Sequence, residues 1–486
     1  MSETYRSLQP LFHPGSVAFI GASNNPRKWG FIVLANLING GFKGAIYPVN
    51  PREPKVQELK AYASVADLPE TPDLAVIVTP SMSVPAVIDQ CVAKGIRAGL
   101  VITAGFAEVG GDGERLQREM VDRARRGNMV LVGPNCNGIM NPSFKLYSVM
   151  PPIFPPPGPI AVVAQSGNVA TSIIRGAMKN GLGFSCCVSS GNEADLRCED
   201  YFEYMAEDPQ TKVILSYNEG FKDGRRFFEV ARSVTKKKPI VILKAGVTTA
   251  GARAAMSHTA SLAVADVAFD GACKQAGVIR AKDMDELRNI GAGFIRQPLP
   301  RGKRVGIVTA GGGWGVLAAD ACVRVGLEVA TLPEETLAEL DGFLPPWWTR
   351  SNPVDLVAGL REGALMKSLE TLLRCPKLDG VILLGIMAAL PVELLPRSAN
   401  QNIIKRRTDS MLQIIIDVYN QFMGLADRYQ KPVVIGTEFP FAIGDVESRM
   451  ASMLGEKGYI YYSNPNDAAL VMASLASYAE YLRSGT

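Results

Sequence analysis

Residues 74–104 read LAVIVTPSMSVPAVIDQCVAKGIRAGLVITA. Two apolar runs, Leu74–Thr79 and Leu100–Ala104, enclose Val84–Lys94, an amphipathic segment. Strands that are apolar throughout, with a helix between them, predict a parallel sheet covered on both faces. The alternation continues outward. Ser16–Gly21 (SVAFIG) and Ala45–Val49 (AIYPV) are strand candidates upstream; Glu114–Arg125 is a helix candidate and Met129–Val132 a strand candidate downstream. Pro151–Pro159 (PPIFPPPGP) then interrupts the pattern. Proline can continue neither a helix nor a central strand, so this stretch reads as the first inter-domain connection. The pattern restarts at Ile160–Ala164, Ser185–Ser189, Val213–Tyr217 and Ile240–Lys244. A second break falls at Gln297–Lys303. A third unit runs through Val305–Thr309, Gly380–Gly385 and Pro432–Thr437 to a helix near Asn466–Arg483. The expected organisation is three consecutive α/β domains.

Composition agrees. At about 150 residues per domain, 486 residues suggest about three domains. Hydrophobic residues at 47% and charged residues at 20% describe a globular chain. Lys+Arg 51 against Asp+Glu 47, a net +4, argues against a dedicated nucleic-acid partner. No apolar run approaches the roughly 18 residues of a transmembrane helix, so no membrane partner is expected. The opening MSETYRSLQPLFHPG lacks the apolar core of a secretory signal. Eight scattered cysteines without a CxxC pair fit a reducing, cytoplasmic setting. Histidine occurs only at His13 and His258, which excludes a His-rich metal site within the chain.

Several turns carry candidate chemistry. The first strand runs into Gly21-Ala22-Ser23 and on to Lys28, where a doubly wound domain docks phosphates on a helix N-terminus. The glycine spacing is not GxGxxG, and the second strand ends in Val49-Asn50-Pro51-Arg52 with no acidic residue for a ribose hydroxyl. Both features weaken a nicotinamide-dehydrogenase reading; Lys28 and Arg52 suit a ligand with extra phosphate instead. Asn135, in Gly133-Pro134-Asn135-Cys136-Asn137-Gly138, can offer an amide to a ligand, while Cys136 reads as a packed thiol. Gln165-Ser166-Gly167 and Gly311-Gly312-Gly313 each lie between a strand and a helix. Their small residues leave helix N–H groups open to an anion, so two helix dipoles aimed at one phosphate are expected. No GxxxxGK[ST] motif exists.

The segment KAGVTTAGARAAMSHTASLAVA (244–265) is built almost wholly of small residues around His258. A histidine in such a loop has few bulky neighbours to hold it as core, and neutral imidazole is a good nucleophile. It needs an orienting acceptor. Glu219 ends the strand one βα unit earlier and is expected at the same sheet edge.

Together these residues resemble the NDP-forming acyl-CoA synthetases of the succinyl-CoA synthetase superfamily. The matching motifs run in order: IGAS (20–23), PVNP (48–51), VTPS (78–81), GPNCNG (133–138), AQSG (164–167), SSGNEAD (189–195), DGRRF (223–227), KPIVILKAG (238–246), SHTASLA (257–263), QAGVIR (275–280) and SNPVDL (351–356). The resemblance implies an N-terminal CoA-binding Rossmann-like domain (1–145) and two flavodoxin-like doubly wound ligase domains (146–297 and 298–486). It implies a coenzyme A site at Gly21, Ala22, Ser23, Lys28, Val49, Asn50, Pro51, Thr79, Pro80 and Asn135. It implies a phosphorylated His258, steadied by Glu219, with phosphate held at Gln165, Ser166, Gly167, Gly312 and Gly313, and no metal bound to this chain.

The family commonly reads SHTGALAG where this chain has Ser257–Val264, SHTASLAV; two fewer glycines imply a stiffer loop. Leu390–Ser410 looks peculiar to this chain and is a candidate for shaping the acid pocket or an interface. Three domains account for all 486 residues. The ATP-grasp module that binds ATP/ADP and Mg²⁺ is therefore expected on a separate β chain, in a heterotetramer of two α and two β subunits. The expected reaction joins a small carboxylic acid to coenzyme A at the expense of ATP, through acyl phosphate and phosphohistidine. The alternative is a non-catalytic CoA- or acyl-CoA-binding regulatory protein of the same architecture.

Overall fold

A computed structural model describes residues 2–251, 253, 266–356, 363–385, 401–437 and 445–485. The chain divides into two compact units, Met1–Met178 with Gly183–Leu287, and Lys179–Leu182 with Arg288–Thr486. The first unit holds two large sheets and the second unit holds one.

Helix α1 (Glu3–Phe12) precedes the first sheet. It was not anticipated. Ser2 caps it by accepting the Tyr5 N–H, and it buries Tyr5, Leu8, Leu11 and Phe12. The Tyr5 and Phe12 rings stack on Tyr204 at 4.9 and 4.5 Å. The strands that follow are β1 (Ser16–Ile20), β2 (Ala45–Val49), the small hairpin β3 (Lys55–Val56) and β4 (Leu59–Lys60), β5 (Leu74–Ile77), β6 (Ala98–Val101) and β7 (Val130–Val132). Helices α2 (Trp29–Asn39), α3 (Val84–Lys94) and α4 (Asp112–Arg126) lie between them. The sheet order is β2-β1-β5-β6-β7, all parallel. Every residue of β1, β5 and β6 is buried, as strands covered on both faces require.

The second sheet contains β8 (Gly138–Asn141), β9 (Leu146–Val149), β10 (Pro157–Ala164), β11 (Phe184–Ser189), β12 (Val213–Asn218), β13 (Ile240–Lys244) and β14 (Ile279–Ala281). Its order is β14-β13-β12-β10-β11-β8-β9. Helices α5 (Gly167–Lys179), α6 (Cys198–Glu207) and α7 (Gly224–Thr235) connect its strands. Two expectations are corrected here. Strand β10 begins at Pro157, inside the proline-rich stretch. Proline is tolerated at the first position of a strand, and the register shifts between Pro157, Ile160 and Ala161 absorb the irregularity. The hairpin β8–β9 also joins this sheet, antiparallel to β11, although it precedes the prolines. The chain therefore enters the second sheet before the proline-rich stretch, so that stretch is not the first connection between sheets.

The third sheet has β15 (Arg304–Thr309), β16 (Glu328–Val329), β17 (Val354–Asp355), β18 (Gly380–Leu384), β19 (Val433–Gly436) and β20 (Tyr461–Tyr462). All its pairings are parallel, in the order β16-β15-β18-β19-β20, with β17 extending the β16 edge of β15. In each sheet one early strand (β1, β10 or β15) has parallel neighbours on both sides, reached by connections that leave in opposite directions, so each has a switch point. Those points are β1/β5, β10/β12 and β15/β18. Among the described residues, no helix is long and apolar enough to cross a membrane.

Candidate functional site

The β1/β5 switch point opens into a cleft of ≈ 940 Å³. Gly21, at φ +93°, turns the chain out of β1, and a Cβ there would collide with the Val78 carbonyl. The following turn is set by short side chains. Ser23 Oγ accepts the Asn25 N–H at 3.1 Å, and Asn25 Oδ1 accepts the Arg27 N–H at 3.0 Å. Asn50 ties the ends of β1 and β2 together: Nδ2 donates to the Ala22 carbonyl at 2.9 Å, and Oδ1 accepts the Arg52 N–H at 2.8 Å. Helix α2 starts at the cleft without a side-chain cap, leaving N–H groups open. Arg27, Lys28 and Arg52 line the cleft, exposed and without ion-pair partners among the described residues. A cleft with a helix N-terminus and three free cations suits phosphate groups.

Of the expected cofactor positions, Gly21, Ala22, Ser23, Lys28, Asn50, Pro51, Thr79, Pro80 and Asn135 all line this cleft. Val49 does not; it is core, 5% exposed, and its carbonyl accepts the Gly21 N–H. A terminal strand residue on an apolar run faces inward, and only its backbone reaches the turn. Sequence reading missed Arg27 and Trp29 at the mouth and Thr103 and Met150 in the lining. Cys136 is a packed thiol, with burial pushing its pKa up to about 12.

At the β10/β12 switch point the chain leaves β10 through Gln165, Ser166 and Gly167 into α5. The Gln165 N–H donates to the Tyr217 carbonyl at 3.1 Å. Its side chain spans to the next turn: Oε1 accepts the N–H groups of Glu219 at 2.7 Å and Gly220 at 3.3 Å, and Nε2 donates to the Gly220 carbonyl at 2.9 Å. Glu219 is thereby held against the start of α5, as its place after β12 suggested. It is 8% exposed, and its Oε1 accepts the Tyr217 hydroxyl at 3.4 Å. Burial, then the Glu219 charge, pushes the Tyr217 hydroxyl up to about 12.

Two segments join the cleft to this turn. Asn137 lines the cleft and also packs on Gly167, where a Cβ would strike the Asn137 side chain. The Asn137 N–H donates to Ser189 Oγ at 3.0 Å, and the Met150 N–H to the Asn137 carbonyl at 2.9 Å. Asn135 Nδ2 donates to Asn192 Oδ1 at 3.2 Å, so one of its amide protons is already engaged. The cleft and the α5 turn thus share one wall.

Gly312 and Gly313 open the helix Gly312–Arg324 in the second unit. Thr309 Oγ1 shapes the entry, accepting the Gly311 N–H at 3.1 Å and donating to the Gly311 carbonyl at 2.7 Å. Its N-cap residue, Gly311, has no side chain with which to cap it, and the Asp355 carboxylate lies beside Gly312. His258 and the loop Ser257–Val264 lie outside the described residues, as do Leu390–Asn400 of the segment Leu390–Ser410. His13 has a structural setting: Nδ1 is 3.2 Å from the Tyr204 hydroxyl and Nε2 is 3.3 Å from Asn141 Nδ2. Among the described residues, no cluster of His, Cys, Asp or Glu could hold a metal ion.

Three domain families match in order: a CoA binding domain over residues 15–142, a succinyl-CoA ligase like flavodoxin domain over 157–294, and a ligase-CoA domain over 305–397. The chain is 38% identical to the acetate–CoA ligase [ADP-forming] II subunit alpha of Pyrococcus furiosus, over 98% of this chain and 99% of the relative. It is 42% identical to the acetate–CoA ligase [ADP-forming] of Methanocaldococcus jannaschii, over 72% of this chain but 49% of that longer one. A solved structure of the dinucleotide-forming acetyl-coenzyme A synthetase 1 of Ca. Korarchaeum cryptofilum, with phosphate and ADP, matches with a TM-score of 0.84 and 31% identity over 98% of both chains. With the cleft and the α5 turn in place, these matches make the chain an α-type member of the ADP-forming acid–CoA ligases, in the succinyl-CoA synthetase superfamily.

Proposed function

We propose that this chain is the α subunit of a two-chain ADP-forming ligase that interconverts carboxylic acid, CoA and ATP with acyl-CoA, ADP and phosphate through two phosphorylated intermediates. The observation that carries this reading is the shared wall: Asn137 lines the cleft and packs on Gly167, at the turn whose Gln165 holds Glu219. We read the three sheets as a CoA-binding domain, a flavodoxin-like domain carrying the His258 loop and a second flavodoxin-like domain.

Coenzyme A occupies the cleft, its phosphates near Arg27, Lys28 and Arg52 and its thioester towards Asn137. A phosphate oxygen at the start of α5 attacks the thioester carbonyl carbon. The C–S bond breaks, the thiolate takes a proton, and acyl phosphate remains. A ring nitrogen of His258 then attacks phosphorus, the P–O bond to the acyl group breaks, and the carboxylate leaves. Glu219 orients and charge-stabilises the imidazole. The N–H groups at Ser166–Gly167 balance the phosphoryl charge, and Gly312–Gly313 are the candidates for a second phosphate-binding turn. An ADP oxygen finally takes the phosphoryl group, on an ATP-grasp β chain that binds nucleotide and Mg²⁺. We expect a tetramer of two α and two β chains, a small acid as substrate, and a cytoplasmic setting, which suits eight free buried thiols.

Incubating the chain with acetyl-CoA and other acyl-CoAs plus phosphate tests this by intact mass. One added, acid-labile phosphoryl group that disappears in His258→Asn is expected. No phosphorylation with any thioester, even with an ATP-grasp partner and ATP, would overturn the catalytic reading.

A further inference from the structure

The motif SSGNEAD (189–195) has no part in the steps above, yet its Glu193 is a buried ionisable side chain beside the α5 turn. It is 3% exposed and sits at φ +50°, a backbone region that residues other than glycine seldom occupy. Its surroundings enforce that conformation. The Lys222 ammonium donates to the carbonyls of Asn192 at 2.7 Å and Glu193 at 2.9 Å. The Asn192 and Ala194 N–H groups donate to the carbonyls of Pro134 at 2.9 Å and Gly133 at 3.0 Å, behind the CoA cleft.

The carboxylate has two close partners. Ser190 Oγ donates to Oε1 at 2.7 Å, and Gln165 Nε2 donates to Oε2 at 3.1 Å. The second bond joins three backbone contacts in fixing the orientation of the Gln165 amide. A carboxamide can face either way, and rotating it exchanges an acceptor for a donor. Here two backbone N–H groups need its oxygen, while the Gly220 carbonyl and Glu193 need its NH₂. An ionised carboxylate cannot donate, so it accepts only the orientation that leaves Oε1 on Glu219 and Gly220.

We propose that Glu193 is a positioning residue, which fixes the Gln165 amide and through it the Glu219 turn against the start of α5. The consequence for phosphoryl transfer rests on the function proposed above; the structural part does not. A buried carboxyl is costly where a neutral group would pack as well. Desolvation raises the Glu193 pKa to about 7 against the bonds from Ser190 and Gln165; Glu199 adds to the rise and Lys222 opposes it. The Cys198 thiol and Tyr201 hydroxyl also face its charge. Protonation does not undo the arrangement. With the proton on Oε1, Ser190 becomes the acceptor and Oε2 still accepts from Gln165. Glutamine at 193 reproduces that pattern, with its NH₂ towards Ser190 and its oxygen towards Gln165.

Amide hydrogen exchange on the full chain, over a peptide spanning residues 217–222, tests the positioning. In Glu193→Leu the Glu219 and Gly220 amides should exchange about tenfold faster or more; in Glu193→Gln they should match the parent chain. In the acetyl-CoA and phosphate assay, Glu193→Leu should slow phosphorylation by about 10- to 100-fold at unchanged half-saturating acetyl-CoA. Glu193→Gln should restore the rate to within about threefold. Parent-like exchange in a folded Glu193→Leu chain, or a Glu193→Gln chain as impaired as Glu193→Leu, overturns the proposal. Should Glu193→Leu fail to fold, Glu193→Asp, one methylene too short to keep both bonds, should accelerate the same amides; unchanged exchange overturns it equally. A parent chain that is never phosphorylated removes the ligase reading, and the exchange result still judges Glu193.

Discussion

Gln165 Oε1 accepts the Glu219 N–H at 2.7 Å, closing the gap between the turns after β10 and β12. The two residues are 54 positions apart and meet because β10 and β12 are neighbours at a switch point. Gln165→Leu removes this acceptor and leaves two backbone N–H groups without it, each worth about 1–3 kcal/mol when buried. Phosphorylation from acetyl-CoA and phosphate should fall by about 10- to 100-fold. CoA affinity, measured by titration calorimetry, should stay within about twofold, because Gln165 does not line the cleft.

The cleft makes a separate prediction. Lys28 and Arg52 are exposed and have no ion-pair partner among the described residues, so each contributes a screened charge interaction. Lys28→Ala and Arg52→Ala should each weaken CoA binding by about two- to fivefold at low salt, with the effect shrinking as salt rises. Comparing CoA with dephospho-CoA identifies which cation meets the additional phosphate: its variant should no longer distinguish the two ligands.

Close packing at Gly167 predicts a coupled pair. Gly167→Ala drives a methyl into Asn137, so the start of α5 must shift. Thermal stability should drop, by about 1–3 kcal/mol, and phosphorylation with it. Asn137→Gly removes the obstructing atoms. The double variant should therefore be more stable than the sum of the single losses, which a double-mutant cycle by thermal denaturation measures.

Glu193 should also write itself into the pH dependence of stability. Burial raises its pKa from 4.5 to about 7, so the folded chain binds the proton more tightly than the unfolded chain. Between those values the folded state holds more protons, and stability falls as pH rises through this window. The contribution is about 3 kcal/mol between pH 4 and pH 8. Glu193→Gln should consequently be more stable than the parent at pH 8, with the difference vanishing towards pH 4. Denaturant titrations of both chains at the two pH values check the sign.

The alternation of strands and helices was legible because strands covered on both faces need unbroken apolar runs. Val84–Lys94 is helical over the residues its pattern indicated, and Ala45–Val49 and Ile240–Lys244 are strands over theirs. Pairings were not legible. Nothing local to Gly138–Val149 says that it adds antiparallel to β11, because that choice lies in the facing side chains of a distant strand. Two-residue strands such as β16 and β20 carry no period to read. In the candidate site, glycine and asparagine turns pointed to the cleft, since backbone shape restricts which residues fit. Arg27 and Trp29 escaped because one exposed side chain looks like any other until a cleft forms beside it. Glu193 was visible only as one letter of a motif; its burial and its bond to Gln165 exist only once β10 and β11 are side by side.

The hairpin β8–β9 carries a lesson for anyone taking the chain apart. It lies in sequence between the cleft-lining residues Asn137 and Met150 yet forms the edge of the second sheet, so the chain's most conspicuous breakpoint, the proline run, is not a seam. A fragment ending there would export two strands from the sheet they complete and leave β11 with a bare edge, an invitation to aggregate. A cut before Gly138 keeps the second sheet whole but takes Met150 from the cleft, so expression halves, split reporters and fusions should not be cut between these two sheets at all.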